Sequence, residues 1–194
     1  MKTDKLALKF LGRLPWGSHI CVFYGTTKDL IDILVPYFKA GLENNEFCFW
    51  ITSSSLGKKE AIAAMSKEIP DLTRYAANGQ IEFMFYTMVY LKDGVFNMQK
   101  ALNIMADKTR QALDNGYDGL RGAGYVPWFN KEEWLALTRY EGEVNNAIDN
   151  TRTLALCTYP LDKFKAREII DIMSVHQYVI DKYVSFLISV IRNP

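Results

Sequence analysis

Glu141 and Asn145 are the polar residues best placed to act on something buried. At 100° per residue, Trp134, Leu137, Glu141, Asn145 and Ile148 fall on one narrow stripe of a helix predicted over 130–149. A carboxylate in the middle of a core-facing stripe must be paired or protonated, because an isolated buried charge costs several kcal/mol. Arg121, set in Gly119-Leu-Arg-Gly122 at a predicted strand end, is the expected partner. Two readings stay open. One is a structural ion pair pinning helix to sheet. The other is the polar floor of a ligand pocket, with Arg121, Glu141 and Asn145 aimed into it.

Aromatic residues could wall such a pocket. Tyr24 ends a predicted strand, and Tyr125 and Trp128 lie in the Gly- and aromatic-rich run 122–129. Tyr90 lies in the segment 87–96, which is long for a connection in an α/β domain and reads as a lid or as an excursion packed on the edge. The same aromatics could equally complete the core.

Other chemistry is absent from the pattern. Gly25-Thr-Thr-Lys28 follows the first strand, where a phosphate loop would stand, but it lacks the G-x-x-x-x-G-K-[ST] cradle of backbone N–H groups. There is no G-x-S-x-G, no H-E-x-x-H and no G-x-G-x-x-G. His19 opens the first strand, at the amino end of the sheet and away from the expected pocket; His176 precedes the tail. Each reads as a hydrogen-bonded structural histidine. Cys21, Cys48 and Cys157 are odd in number and widely spaced, so they suggest reduced thiols rather than disulfides. The two histidines with Cys21 and Cys157 could bind zinc in principle, but their spacing carries no metal motif, and neither metal nor cofactor is expected.

The elements that must position these residues alternate. Apolar runs at 19–24, 47–52, 81–86 and 153–157 read as strands buried on both faces, with a short fifth at 119–122. Helical patterns cover 28–44, 55–68, a short stretch after Asp71, 97–115, 130–149 and 162–173. Thr26 and Asp29 form a capping pair, and Pro36 predicts a kink. The tail 176–191 fits a buried helix or a pair of strands. The pattern predicts a three-layer α/β domain, a mostly parallel sheet with helices on both faces. Ligands in such sheets bind beyond the carboxyl ends of the strands.

One domain over 1–194 is expected, since a chain of this size can bury roughly 70% of its unfolded surface. A formal charge of +1 gives no general drive toward nucleic acid or anionic membrane. No secretory leader is read in residues 1–13, and the apolar stretch 183–191 is too short to span a bilayer. A cytoplasmic protein is expected.

Taken in order, several segments resemble the MEDS family, the sensory domain of methanogens and methylotrophs typified by the DcmR regulator. They are His19-Ile-Cys-Val-Phe-Tyr24, Ala40-Gly-Leu42 before Phe47-Cys-Phe-Trp50, and Gly119-Leu-Arg121 with Trp128 downstream. Tyr140-Glu141 with Val144-Asn145, Leu156-Cys-Thr-Tyr159 and His176 complete the set, which spans about 17–180. The resemblance implies a RecA- or KaiC-like fold without a functional Walker A loop. It implies a non-catalytic input module that binds a small organic ligand, a C1 compound or hydrocarbon derivative. Family-motif positions map to His19, Cys21, Tyr24, Arg121, Trp128, Glu141, Cys157 and His176. The signalling partner, a histidine kinase or a DNA-binding transcription regulator, would act in trans. Two alternatives are a degenerate RecA-like nucleotide-binding protein or ATPase, and a ligand-free homodimeric interaction module built on the apolar tail.

Overall fold

A computed structural model describes residues 11–126, 131–181 and 187–189. Strand β1 (His19–Tyr24) is buried at all six positions, as a run without polar alternation requires when both faces are covered. It leads through α1 (Thr27–Glu43) to β2 (Phe47–Thr52), then α2 (Lys58–Glu68), α3 (Leu72–Ala77) and β3 (Ile81–Phe85). Next come α4 (Tyr86–Tyr90), a small hairpin of β4 (Leu91–Lys92) and β5 (Val95–Phe96), and α5 (Met98–Asp114). The chain continues through β6 (Leu120–Tyr125), α6 (Lys131–Ile148), β7 (Thr153–Pro160), α7 (Ala166–Ser174), β8 (Tyr178–Asp181) and β9 (Leu187–Ser189).

Among the described residues, seven strands form one sheet in the order β3-β2-β6-β7-β1-β8-β9. Neighbours from β3 to β8 run parallel; β9 joins β8 antiparallel. The side-chain period of two divides the core into two layers. Ile20, Val22, Trp50 and Leu156 face α1 and α2. Cys21, Phe23, Phe49 and Cys157 face the opposite layer, built from α4, α5, α6 and α7.

Local chemistry explains the element ends. Thr26 and Asp29 form a complete capping box: Asp29 N–H donates to Thr26 Oγ1 at 3.2 Å, and Thr26 N–H to Asp29 Oδ2 at 2.9 Å. Asn97 caps α5 by accepting from Lys100 N–H at 2.8 Å. Asp71 stands at the N-cap of α3 without capping it, because its carboxylate pairs with Arg74 at 3.0 Å. The helix predicted over 162–173 is broken: a 3₁₀ turn at Leu161–Lys163 precedes α7. The segment 87–96 is not an irregular loop. It completes α4 and turns back as a hairpin through Asp93 (φ 53°) and Gly94 (φ 80°), the left-handed pair that a two-residue turn requires. Of the two readings of the tail, the described part takes the strand pair, β8 and β9.

Replacing Thr26 by Ala removes one half of the capping box. We expect the protein to lose about 1 kcal/mol of stability, measured as a lower urea midpoint at unchanged slope.

Candidate functional site

The stripe on α6 points inward as expected: Glu141 is 1% exposed, with Leu137, Asn145 and Ile148 also buried. Arg121 is equally buried but lies across the sheet from it. Leu120 faces the α6 layer, so Arg121, the next residue along β6, must face α1. Its guanidinium meets Glu46, with a direct Nε–Oε2 contact and Nη2 donating to Oε1 at 3.1 Å. Nη1 donates to the Leu11 carbonyl at 2.7 Å, and the group lies 4.7 Å from the centre of the Tyr37 ring. Gly41 on α1 makes this possible, because a Cβ there would stand 2.6 Å from Arg121 Cδ. The expected Arg121–Glu141 pairing is therefore corrected: the Arg121 pair is with Glu46, on the other face.

Glu141 is balanced by a different set. Tyr159 Oη donates to Glu141 Oε1 at 2.7 Å. Cys157 Sγ lies 3.5 Å from Oε2, His19 Nε2 3.3 Å and His176 Nε2 3.6 Å. Burial pushes the Glu141 carboxyl up, and His176, Tyr159 and Cys157 each pull it part of the way back. Burial, then the neighbouring Glu141 charge, pushes the Cys157 thiol up as well. Cys21, two residues beyond His19 on the same strand face, has its thiol raised by the same two causes.

The histidine tautomers follow from their partners. Asn145 Nδ2 donates to the carbonyls of Glu141 (3.2 Å) and Val175 (2.6 Å), which turns its Oδ1 toward His19 Nδ1 at 3.2 Å. A carbonyl oxygen can only accept, so His19 carries a proton on Nδ1. His176 Nδ1 likewise donates to the Ile172 carbonyl at 2.7 Å. Both rings thus present Nε2 to the carboxylate.

Beside this cluster is an apolar cavity of about 50 Å³ between the sheet and α4, α5 and α6. Phe49, Tyr90, Ala101, Tyr140 and Val144 line it, and Cys157 belongs to both the cavity wall and the cluster. Gly124 also lines the cavity; a Cβ there would meet Tyr90 Oη at 2.7 Å. Beyond the strand ends is a separate polar cleft of about 320 Å³, bordered by Tyr24, Gly25, Ser53, Ser55, Tyr125 and Asp162.

The residues singled out in the sequence therefore fall into four places. Glu141, Asn145 and Cys157 share the cluster with His19 and His176, while Tyr90 walls the cavity next to it. Tyr24 and Tyr125 border the outer cleft. Arg121 stands under α1. Trp128 lies outside the described residues. Its place at the amino end of β1 argues against a site role for His19 in the sequence; the structure brings it into the cluster beneath the sheet face. Glu46 was missed altogether, although a carboxylate directly ahead of the buried run Phe47–Thr52 is a usable signal.

The architecture is shared with solved proteins. The flagellar accessory protein FlaH from Methanocaldococcus jannaschii superposes with a TM-score of 0.57 at 15% identity, over 93% of this chain and 77% of that one. A KaiC-like protein from Pyrococcus horikoshii OT3 superposes with a TM-score of 0.57 at 14% identity, over 87% of this chain and 72% of that one. The fold is therefore α/β of the RecA/KaiC type. No curated protein matches the sequence. The family model of MEDS, the MEthanogen/methylotroph, DcmR Sensory domain, matches residues 18–177, and the chain belongs to that family. Membership points to a sensory input role. No helix among the described residues is long and apolar enough to cross a membrane.

Arg121→Ala leaves Glu46 buried without its cation, and we expect a loss of about 3–5 kcal/mol in chemical denaturation. Gly41→Ala forces the guanidinium out of the same place and should lower the melting temperature without removing any charge.

Proposed function

We propose that this domain is a non-catalytic receiver for a small, mostly apolar organic molecule, a C1 compound or hydrocarbon derivative, held in the cavity between the sheet and α4–α6. The cavity's size and chemistry carry the reading. At about 50 Å³ it exceeds the about 10–15 Å³ that one water needs, yet it holds only a few heavy atoms. Its walls are mostly aliphatic and aromatic, and its polar members include the Cys157 thiol, which is backed by Glu141, and Thr153. Such a site suits a short apolar body with one polar or polarisable substituent. The sensory family supports the role of input domain. Output would pass in trans to a histidine kinase or a DNA-binding regulator in the cytoplasm.

A nucleotide is the second reading, favoured by the polar cleft beyond the strand ends, where open α/β sheets bind ligands. The first turn of α1 opposes it. A phosphate there would meet the Asp29 carboxylate, which is buried in the capping box and already holds the Thr26 N–H. Lys28, three residues after Gly25, is engaged with Asp32 at 2.9 Å.

A thermal-shift screen tests both readings, using dichloromethane, methanethiol, methylamines and ATP with Mg²⁺. A ligand at a hundred times its dissociation constant adds about 2.7 kcal/mol, which is about 5–10 °C for a domain of this size. We expect this from a C1 compound and not from ATP. Ala101→Leu fills the cavity and should abolish the shift while the protein stays folded. A shift from ATP that is lost in Lys28→Ala would overturn the reading.

A further inference from the structure

We propose that His19, Glu141, Cys157 and His176 form a binding site for one zinc ion. Their four donor atoms all lie within 4.8 Å of one another, and all four residues are buried. They come from four separate places: β1, α6, β7 and the segment between α7 and β8.

The spacing fits a tetrahedron. Zinc bonds of about 2.0–2.3 Å set neighbouring ligand atoms about 3.3–3.8 Å apart. Four of the six edges are 3.3, 3.4, 3.5 and 3.6 Å: His19 Nε2 to Glu141 Oε2, His19 Nε2 to Cys157 Sγ, Cys157 Sγ to Glu141 Oε2, and His176 Nε2 to Glu141 Oε2. The other two edges both run to His176 Nε2, so a small shift of that ring closes the figure.

The outer contacts match what a metal site needs. A ligating histidine donates its other ring N–H to a fixed acceptor, and both do so here, to Asn145 Oδ1 and to the Ile172 carbonyl. Tyr159 holds Glu141 Oε1 and leaves Oε2 facing the other three donor atoms. The charge also closes. Zinc binding forms a Zn–S bond as the Cys157 thiol releases its proton to bulk water; thiolate and carboxylate then cancel the dication. A neutral complex is what a buried site tolerates best. Imidazole and thiolate select zinc over magnesium or calcium, which require oxygen ligands in greater number. Four protein ligands make a closed, structural site that ties two strands, a helix and the lead-in to β8.

The site shares Cys157 and Glu141 with the organic-ligand reading, but its test uses no organic probe, so either reading can fail without the other. Full-length protein purified without chelator is analysed for metal by plasma mass spectrometry, then stripped and titrated with Co²⁺. We expect about one site per chain, the intense visible bands of tetrahedral cobalt, and a thiolate-to-cobalt charge-transfer band in the near ultraviolet. Cys157→Ser should abolish the charge-transfer band, Cys21→Ser should retain it, and His176→Gln should weaken Co²⁺ binding about 10–100-fold or more, the scale on which even outer-contact changes act. Should the variants not fold, the wild-type titration decides alone. Folded, stripped wild type that shows no cobalt band overturns the proposal. So does a band that survives Cys157→Ser.

Discussion

Glu141 is a carboxylate held almost out of water on a helix that packs against a sheet covered on both sides. No charge on the far face can neutralise it at contact distance, because the sheet stands between the two layers. Each layer must therefore resolve its own buried ions. Under α1, Arg121 is closed off by Glu46, the Leu11 carbonyl and the Tyr37 ring. Under α6, Glu141 is closed off by a hydroxyl, a thiol and two imidazoles. Breaking either set leaves an uncompensated charge in a dry interior, which makes both sets demanding about geometry.

Much of this was legible in the sequence, and its limits are physical. Apolar runs of strand length located β1, β2 and β3 closely; in β1 and β2 two-sided burial removes the polar alternation that blurs strand edges, whereas β3, at the sheet edge, is mostly half-buried. The apolar run predicts a strand end at Cys157; β7 runs on to Pro160, and Thr158 satisfies its hydroxyl within the sheet by donating to the Gly124 carbonyl at 3.0 Å. The helical period placed Glu141 and Asn145 inward correctly. It could not say which strand residue they meet. That depends on the parity of Arg121 along β6, and a one-residue difference moves a side chain through the sheet. The histidines left no trace in local spacing, since His19 and His176 are 157 positions apart and meet only through the pairing of β1 with β8. Their ring centres then lie 4.0 Å apart, with the planes tilted by 36°.

The cluster also organises the carboxyl-terminal edge of the sheet. Asn145 holds the Val175 carbonyl, His176 is anchored to Ile172, and the Gln177 side chain accepts from the His19 backbone N–H at 3.1 Å. These contacts set where the chain leaves α7 and turns into β8. The register of β8 against β1 thus depends on the same polar groups that surround Glu141.

Cavity and cluster share residues rather than merely adjoining. On α6, Tyr140 faces the cavity and its neighbour Glu141 faces the cluster. On β7, Cys157 takes part in both. A molecule that fills the cavity would press on Tyr140 of α6 and Cys157 of β7. Hydrogen bonds from Tyr159 and Cys157 to Glu141 span that same gap, and their strength falls steeply with misalignment. On the proposed reading, occupancy is therefore felt as a change in how well Glu141 is satisfied. The contacts of Asn145 and His176 extend that change to the start of β8. A ligand shifts a conformational equilibrium only by its difference in affinity between the two states. Here that difference would arise from how closely α6 can approach β7 when the cavity is full.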